Sequence, residues 1–311
     1  MAAVALAGAS ACGRPAGSGG GTVAQHLEAG SKKGAQGDFS GAVEEFRAAV
    51  AADPKSANAQ YHLGVALYEK GDNTEAVRAL AAAVKLDPKL NDAYIALGNA
   101  YLKQDDRRSA FLAFNEAVLN DPKNPSALYN LGVLHYVGGR FQDAATLLER
   151  AQSLRSDDPE IAYRLGMSRL NYGDTGAAIE SLKRTVELNP KHAEAWLNLG
   201  SALTTQHSFD EAKKAFDKAM ELKPGWSDVY NSLAILADAQ DRDTEAMDYY
   251  QRALAADPNN LRVHLNLATL YVKQSKTKEA IAEYDLFLKS WTGDVATAES
   301  VRHRMEDLKS H

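Results

Sequence analysis

A single cysteine, Cys12, sets the first limit on this chain: across 311 residues no internal disulfide can form. Long hydrophobic runs are also missing, and none approaches the ~18 apolar residues of a membrane-spanning helix. Positive charge is not in excess. Lys and Arg total 35 against 41 Asp and Glu, a net charge of −6 with both signs intermixed. A nucleic-acid-binding surface needs clustered positive charge, so that partner class is excluded. The motifs of chemistry are missing too: there is no HExxH, no phosphate-loop pattern, no GxSxG and no metal-spaced Cys/His cluster. The glycine-rich run at residues 17–21 has no preceding strand and reads as linker. His26, His192, His207, His303 and His311 fall in no partner pattern, and His135 lies on a core-facing column. A catalytic site needs a mutual constellation of residues rather than one titratable group. The expectation is therefore a protein that is not an enzyme and has neither cofactor nor metal.

What the chain does contain is a period. Ala42, Ala76, Ala110, Ala144, Ala178, Ala212, Ala246 and Ala280 follow one another at intervals of 34 residues without exception. Such a period fixes an architecture before any single residue is interpreted. With frames opening at 23, 57, 91, 125, 159, 193, 227 and 261, further columns align. Gly30, Gly64, Gly98, Gly132, Gly166, Gly200, Ala234 and Ala268 stand twelve positions before the alanines, with leucine before each from Leu63 onward. A large apolar residue, from Phe46 to Tyr284, stands four positions after them. Pro54, Pro88, Pro122, Pro190, Pro224 and Pro258 close most frames.

Within a frame, apolar residues recur at steps of three and four, the signature of an amphipathic helix. Two such stretches flank a short turn, so each frame predicts a helical hairpin. The small residue of the first helix and the alanine of the second are expected to let the two backbones approach. Proline ends the second helix, because it lacks an amide donor and disfavours helix just before itself. Gly37, Gly71, Gly139 and Gly173 suit a positive φ at the turn, and Asp105, His207, Asp241 and Ser275 occupy the same place in the other frames. Frame 125–158 ends in Ser156 where proline is usual, and its second helix is expected to run slightly long. Pro159 opens the next frame behind a suitable cap, Asp158. The last frame has Phe287 where a small residue is usual. Beyond it, Val295, Ala298, Val301, Met305 and Leu308 form an apolar stripe at helical spacing, with Asp294 as its cap. Arg302, Arg304, Glu306 and Asp307 are expected to face outward, as on the capping helix that ends a solenoid.

A 34-residue helix–turn–helix with Leu-Gly, Tyr, Ala, Phe and Pro at these spacings resembles the tetratricopeptide repeat. Frame 193–226, reading AEAWLNLGSAL and then FDEAKKAFDKAMELKP, matches most closely. The resemblance implies an all-α fold, a right-handed α-solenoid of eight tandem hairpins over residues 23–294, with a capping helix at 295–311. Its first frame departs from the pattern, with Ala29 and Lys33 where core Leu and Tyr are typical.

Residues 1–22 are a different material, small and apolar to Ala11 and then rich in Gly, Ser and Pro. Ser10-Ala11-Cys12 resembles the end of a bacterial lipoprotein signal, where cleavage frees a cysteine for lipid attachment. No Lys or Arg precedes the apolar run, and Ala9 stands where Leu is usual in that pattern. A true start upstream of Met1 would supply the missing leader. The alternative is an Ala/Gly-rich terminus with an incidental cysteine. The two readings place the protein at the bacterial cell envelope, lipid-anchored through Cys12, or in the cytoplasm.

In tetratricopeptide arrays the first helices line a concave groove that binds peptide. On the matching columns stand Tyr61, His62, Tyr68, Asn99, Tyr129, Asn130, Tyr136, Tyr163, Arg164, Asn198, Asn231 and Asn266, with Val65, Ile95, Val133, Met167, Leu197 and Leu265 among them. A side-chain amide is both donor and acceptor, so it can pair with a peptide backbone of any sequence. Asn130, Asn198 and Asn266 resemble the asparagine ladder of O-linked N-acetylglucosamine transferases, interrupted here by His62, Ala96, Arg164 and Ser232. The equally simple reading is that asparagine is common in this column and that the tyrosines pack repeats together. The Lys/Asn/Arg set of the clamp for acidic chaperone tails is not on the matching columns. The expected function is a non-catalytic scaffold for protein or peptide partners. An envelope assembly factor of the pilotin type, the non-catalytic arm of an enzyme complex and a homo-oligomer are the alternatives.

Overall fold

A computed structural model describes residues 20–310. Helix is the only regular secondary structure among them, in the order α1 Gly20–Ala35, α2 Phe39–Ala52, α3 Ala57–Lys70, α4 Asn73–Leu86, α5 Asn91–Lys103, α6 Arg107–Asn120, α7 Pro125–Val137 and α8 Phe141–Leu154. There follow α9 Pro159–Tyr172, α10 Thr175–Leu188, α11 Ala193–Thr205, α12 Phe209–Leu222, α13 Ser227–Asp238, α14 Asp243–Ala256, α15 Leu261–Lys273, α16 Thr277–Ser290 and α17 Val295–Ser310. The chain forms two compact units that divide after Ser156. Helices α1 to α8 make four hairpins in the first unit; α9 to α16 make four in the second, where α17 follows.

Local rules place the helix ends. Asp38, Asp106 and Asp174 cap the second helices of their hairpins, accepting from the backbone amides of Gly41, Ser109 and Ala177. Ser56, Asn124 and Asp158 do the same for first helices. All eight turn positions have positive φ: Gly37, Gly71, Gly139 and Gly173, and also Asp105 at 57°, His207 at 58°, Asp241 at 57° and Ser275 at 58°. After the second helices, Asp53, Asp87, Asp121, Asn189 and Asp257 each accept a bond from the backbone amide two residues on. These side-chain turns surround the prolines and redirect the chain to the next hairpin.

Two expectations need correction. Helix α8 does not run long; it ends at Leu154 after 14 residues, the length of the other second helices. Ser156 leaves the exit intact because the Asp158 cap and Pro159 start α9 at its usual place. Second, the glycine column chiefly makes room for the large residue four positions after the alanine, and only secondarily for the alanine itself. A Cβ on Gly64 would stand 2.5 Å from Leu80 Cγ, and one on Gly200 would stand 2.5 Å from Phe216 Cε1. At Gly132 the nearest alanine-column atom, Ala144 O, is 3.5 Å away, behind Leu148. The eight alanines are all buried, 0–1% exposed, and the aromatic or leucine side chain fills the notch beside them.

Within each unit, side chains of successive hairpins merge into shared clusters. Phe46, Leu67 and Leu80 anchor one in the first unit, Leu182, Phe216 and Leu236 one in the second. First helices of neighbouring hairpins touch directly, α1 on α3, α3 on α5 and α5 on α7, then α11 on α13 and α13 on α15. Successive second helices stand farther apart. Each unit therefore curves with its first helices on the inner side. At the chain's end Val301 and Met305 are buried on Ala268, Tyr284 and Phe287, with Leu308 beside them, and Ala298 is buried as well. Val295 is not part of that stripe: it is 68% exposed, because it lies in the first turn of α17, before the helix meets α16.

Candidate functional site

The inner face is built from the first helices, and the alternation of their columns explains what it shows. One side of each helix is committed to its hairpin partner through Leu and Gly. The residues beside it are half-buried and remain on the surface. The residues singled out on this face are half-buried except Val65, Ile95 and Asn231, which are buried.

In the first unit, Tyr61 packs into the cluster around Leu63 and Leu67, and burial, with Asp92 nearby, pushes its hydroxyl up to about 12. His62 stacks on Phe46 of α2, ring centroids 5.4 Å apart and 21° between planes. Burial holds this imidazole below its ordinary pKa, and its Nδ1 has no hydrogen-bond partner. Its ring thus serves the packing of α2 on α3. Tyr68 carries Lys103 of the next hairpin 5.9 Å from its ring centroid, a cation–π geometry. Tyr136 meets Phe141 edge-on at 5.4 Å. Tyr129, Asn99 and Asn130 lie on the same inner columns of α7 and α5. His135 points the other way, buried edge-on against Phe111 at 5.5 Å.

In the second unit, Tyr163 lies 4.5 Å from the His192 ring, and its hydroxyl accepts a bond from Asn198 Nδ2 at 3.1 Å. Arg164 donates to Glu160 at 2.7 Å and stands 5.8 Å from the Tyr163 ring centroid. Asn266 Nδ2 donates to Asn231 Oδ1 at 3.0 Å. Lys273 binds Asp238 at 2.8 Å, Asp243 at 2.9 Å and Asp241 at 3.3 Å. Asn198, Asn266 and Lys273 each reach a residue 35 positions earlier, one repeat plus one residue. This relation ties the first helix of one hairpin to the first helix of the preceding one.

Two features lay outside the sequence reading. One is the 35-residue tie, for which the pairs Asp238/Lys273 and Asn231/Asn266 were the available signal. The other is a cleft of about 610 Å³ on the outer side of the second unit, floored by Val186, Trp196, Leu199, Leu203 and Ala215. The Lys183–Glu211 ion pair, 2.8 Å, spans it from α10 to α12. Among the described residues no group of three or more His, Cys, Asp or Glu is placed to hold a metal ion, and no helix is long and apolar enough to cross a membrane. Cys12 lies outside the described residues.

Comparison with known families matches residues 3–232 to the cilia and flagella-associated protein 70 C-terminal domain. Residues 179–294 match the cytochrome c-type biogenesis protein H TPR domain. Comparison with curated proteins returns no match. Among solved structures, a tetratricopeptide repeat protein from Parabacteroides merdae is 16% identical with a TM-score of 0.62, over 83% of this chain and all of that one. Pseudomonas aeruginosa PilF is 20% identical with a TM-score of 0.57, over 70% of this chain and 98% of its own. YrrB, described as a TPR protein with an unusual peptide-binding site, is 21% identical with a TM-score of 0.56, over 60% of this chain and 96% of its own. At such identities these likenesses establish the fold alone.

Proposed function

The chain belongs to the tetratricopeptide-repeat family, and from that premise we propose that it is a non-catalytic scaffold that captures extended segments of partner proteins on the inner face of its first helices. The observation that carries this reading is what each unit leaves open on its first helices: tyrosines and asparagines other than Asn231 stay half-buried at the surface while the neighbouring columns are sealed in the core. Aromatic side chains offer large contact area for little entropy, and amides can read a backbone. YrrB, with the same fold and a peptide-binding site of its own, supports the class of ligand.

Replacing Asn130, Tyr136 and Asn198 together by alanine is expected to abolish capture of partners from a lysate of the source cell, with the helical circular-dichroism spectrum unchanged. Undiminished capture by this variant would remove the inner face from the account.

Ser10-Ala11-Cys12 supports a second element of the proposal, a lipid on Cys12 that tethers the scaffold to a bacterial envelope membrane. A tethered scaffold suits an assembly role of the pilotin type. Metabolic labelling with a tagged fatty acid, in a gene carrying its upstream region, is expected to mark the protein and not its Cys12→Ala variant. A protein that takes no label refutes the tether and leaves the capture proposal standing.

A further inference from the structure

The outer cleft of the second unit takes no part in the inner face, and it is built as ligand sites are. Its volume of about 610 Å³ lies inside the range of roughly 300–1,000 Å³ that small-molecule sites occupy. Val186 of α10, Leu199 and Leu203 of α11 and Ala215 of α12 are buried beneath it, and Trp196 of α11 stands half-buried beside them. The indole is held in place before any ligand arrives, because its Nε1 donates to the Pro190 carbonyl at 3.0 Å. The repeat explains why the space is open. One period after Ala215 stands Tyr249, which packs against two successive core clusters. With alanine at this position the gap between α10 and α12 stays unfilled.

The charges around the cleft indicate the ligand. Each of the four carboxylates on its rim already has a cation: Glu187 pairs with Arg184 at 3.4 Å, Glu211 with Lys183 at 2.8 Å, Asp217 with Lys213 at 2.5 Å and Glu221 with Lys218 at 2.6 Å. Lys214 is the remaining rim cation, and it makes no hydrogen bond or ion pair among the described residues. A cationic ligand would have to displace a lysine or arginine from its carboxylate, whereas an anionic one meets Lys214 directly. The apolar floor favours a hydrocarbon body, which gains by leaving water.

We infer that this cleft binds a small amphiphilic carboxylate of the fatty-acid class, with its hydrocarbon on Trp196, Leu199 and Leu203 and its head group at Lys214. The site is distinct from the inner face and does not rest on the capture reading.

The test is titration calorimetry of the full chain with three probes that share one hydrocarbon tail: octanoate, octanol and octylammonium. Octanoate should bind saturably, one molecule per chain, and more tightly than the other two. Ala215→Tyr introduces the side chain that the next hairpin already accommodates; it should weaken octanoate at least about tenfold, with an unchanged helical circular-dichroism spectrum. Lys214→Ala alters an exposed side chain; it should weaken octanoate ~3–5-fold, the size of an exposed charge pair, and leave octanol unaffected. The absence of saturable octanoate binding overturns the inference. So does binding that survives Ala215→Tyr, or a series in which octanol or octylammonium binds as tightly as octanoate. A mass that rises with concentration in light scattering, and falls back in Ala215→Tyr, would give the cleft to a second copy of the chain and overturn it as well.

Discussion

Ser275 has φ +58° at a turn where four other hairpins use glycine. A Cβ in the left-handed region costs about 1–2 kcal/mol, and glycine's added chain entropy recovers part of that gain for the unfolded state. Ser275→Gly is therefore expected to stabilise the protein by ~0.5–1 kcal/mol, read as a higher melting temperature; no rise would mean that the turn is not strained. Ala178 tests the opposite situation. It is completely buried, so Ala178→Leu should cost ~1–3 kcal/mol by overpacking, and a neutral result would show the repeat frame to be misaligned. His62 adds a pH dependence of known sign. Burial holds its folded pKa below the ordinary 6.5. As pH falls through that value the unfolded chain takes up a proton that the folded chain resists, so stability present at neutral pH is lost on acidification. His62→Phe keeps the stack on Phe46 and removes the proton, so its melting temperature should fall less than that of the unaltered protein between pH 7 and pH 5. Equal slopes for the two proteins would contradict this origin.

At the scale of elements, the positions that recur were the ones legible in the sequence. Turns, caps and the glycine, alanine and proline columns each depend on residues inside one frame, so eight frames state the same rule eight times. The reading failed where an element depends on something outside its own column. Proline's absence at Ser156 suggested a longer α8, yet the cap of the following helix fixes the exit. Val295 satisfied the apolar spacing of α17 but precedes the first contact with α16. The inter-hairpin ties were hidden for a related reason: they link residues 35 apart, off the 34-residue column, and exist only where both members are polar. Helix α17 offers a test of what an end helix does in a stacked array, where each hairpin is stabilised by its neighbours. Val301→Asp would place a carboxylate against Tyr284 and Phe287 and is expected to cost ~2–4 kcal/mol. Amide exchange should accelerate first in α15 and α16. Uniform acceleration through the second unit would instead mean that α17 is not a local cap.

For the whole molecule, repetition gives a surface larger than any one hairpin and leaves its chemistry free to vary along the chain. The fold was visible in the period because the core columns repeat. The candidate site was only partly visible, since twelve residues on one face do not reveal which of them are already occupied by the protein. Only the structure shows that Asn198 is tied to Tyr163 and Asn266 to Asn231. The outer cleft between α10 and α12 is a competing surface of the second unit, so the location of capture is the decisive question. Hydrogen exchange read by mass spectrometry, on the full chain with and without a captured partner, answers it directly. Slowed exchange in first helices, α7 and α11 among them, is the predicted result. Protection restricted to α10 and α12 would contradict the account.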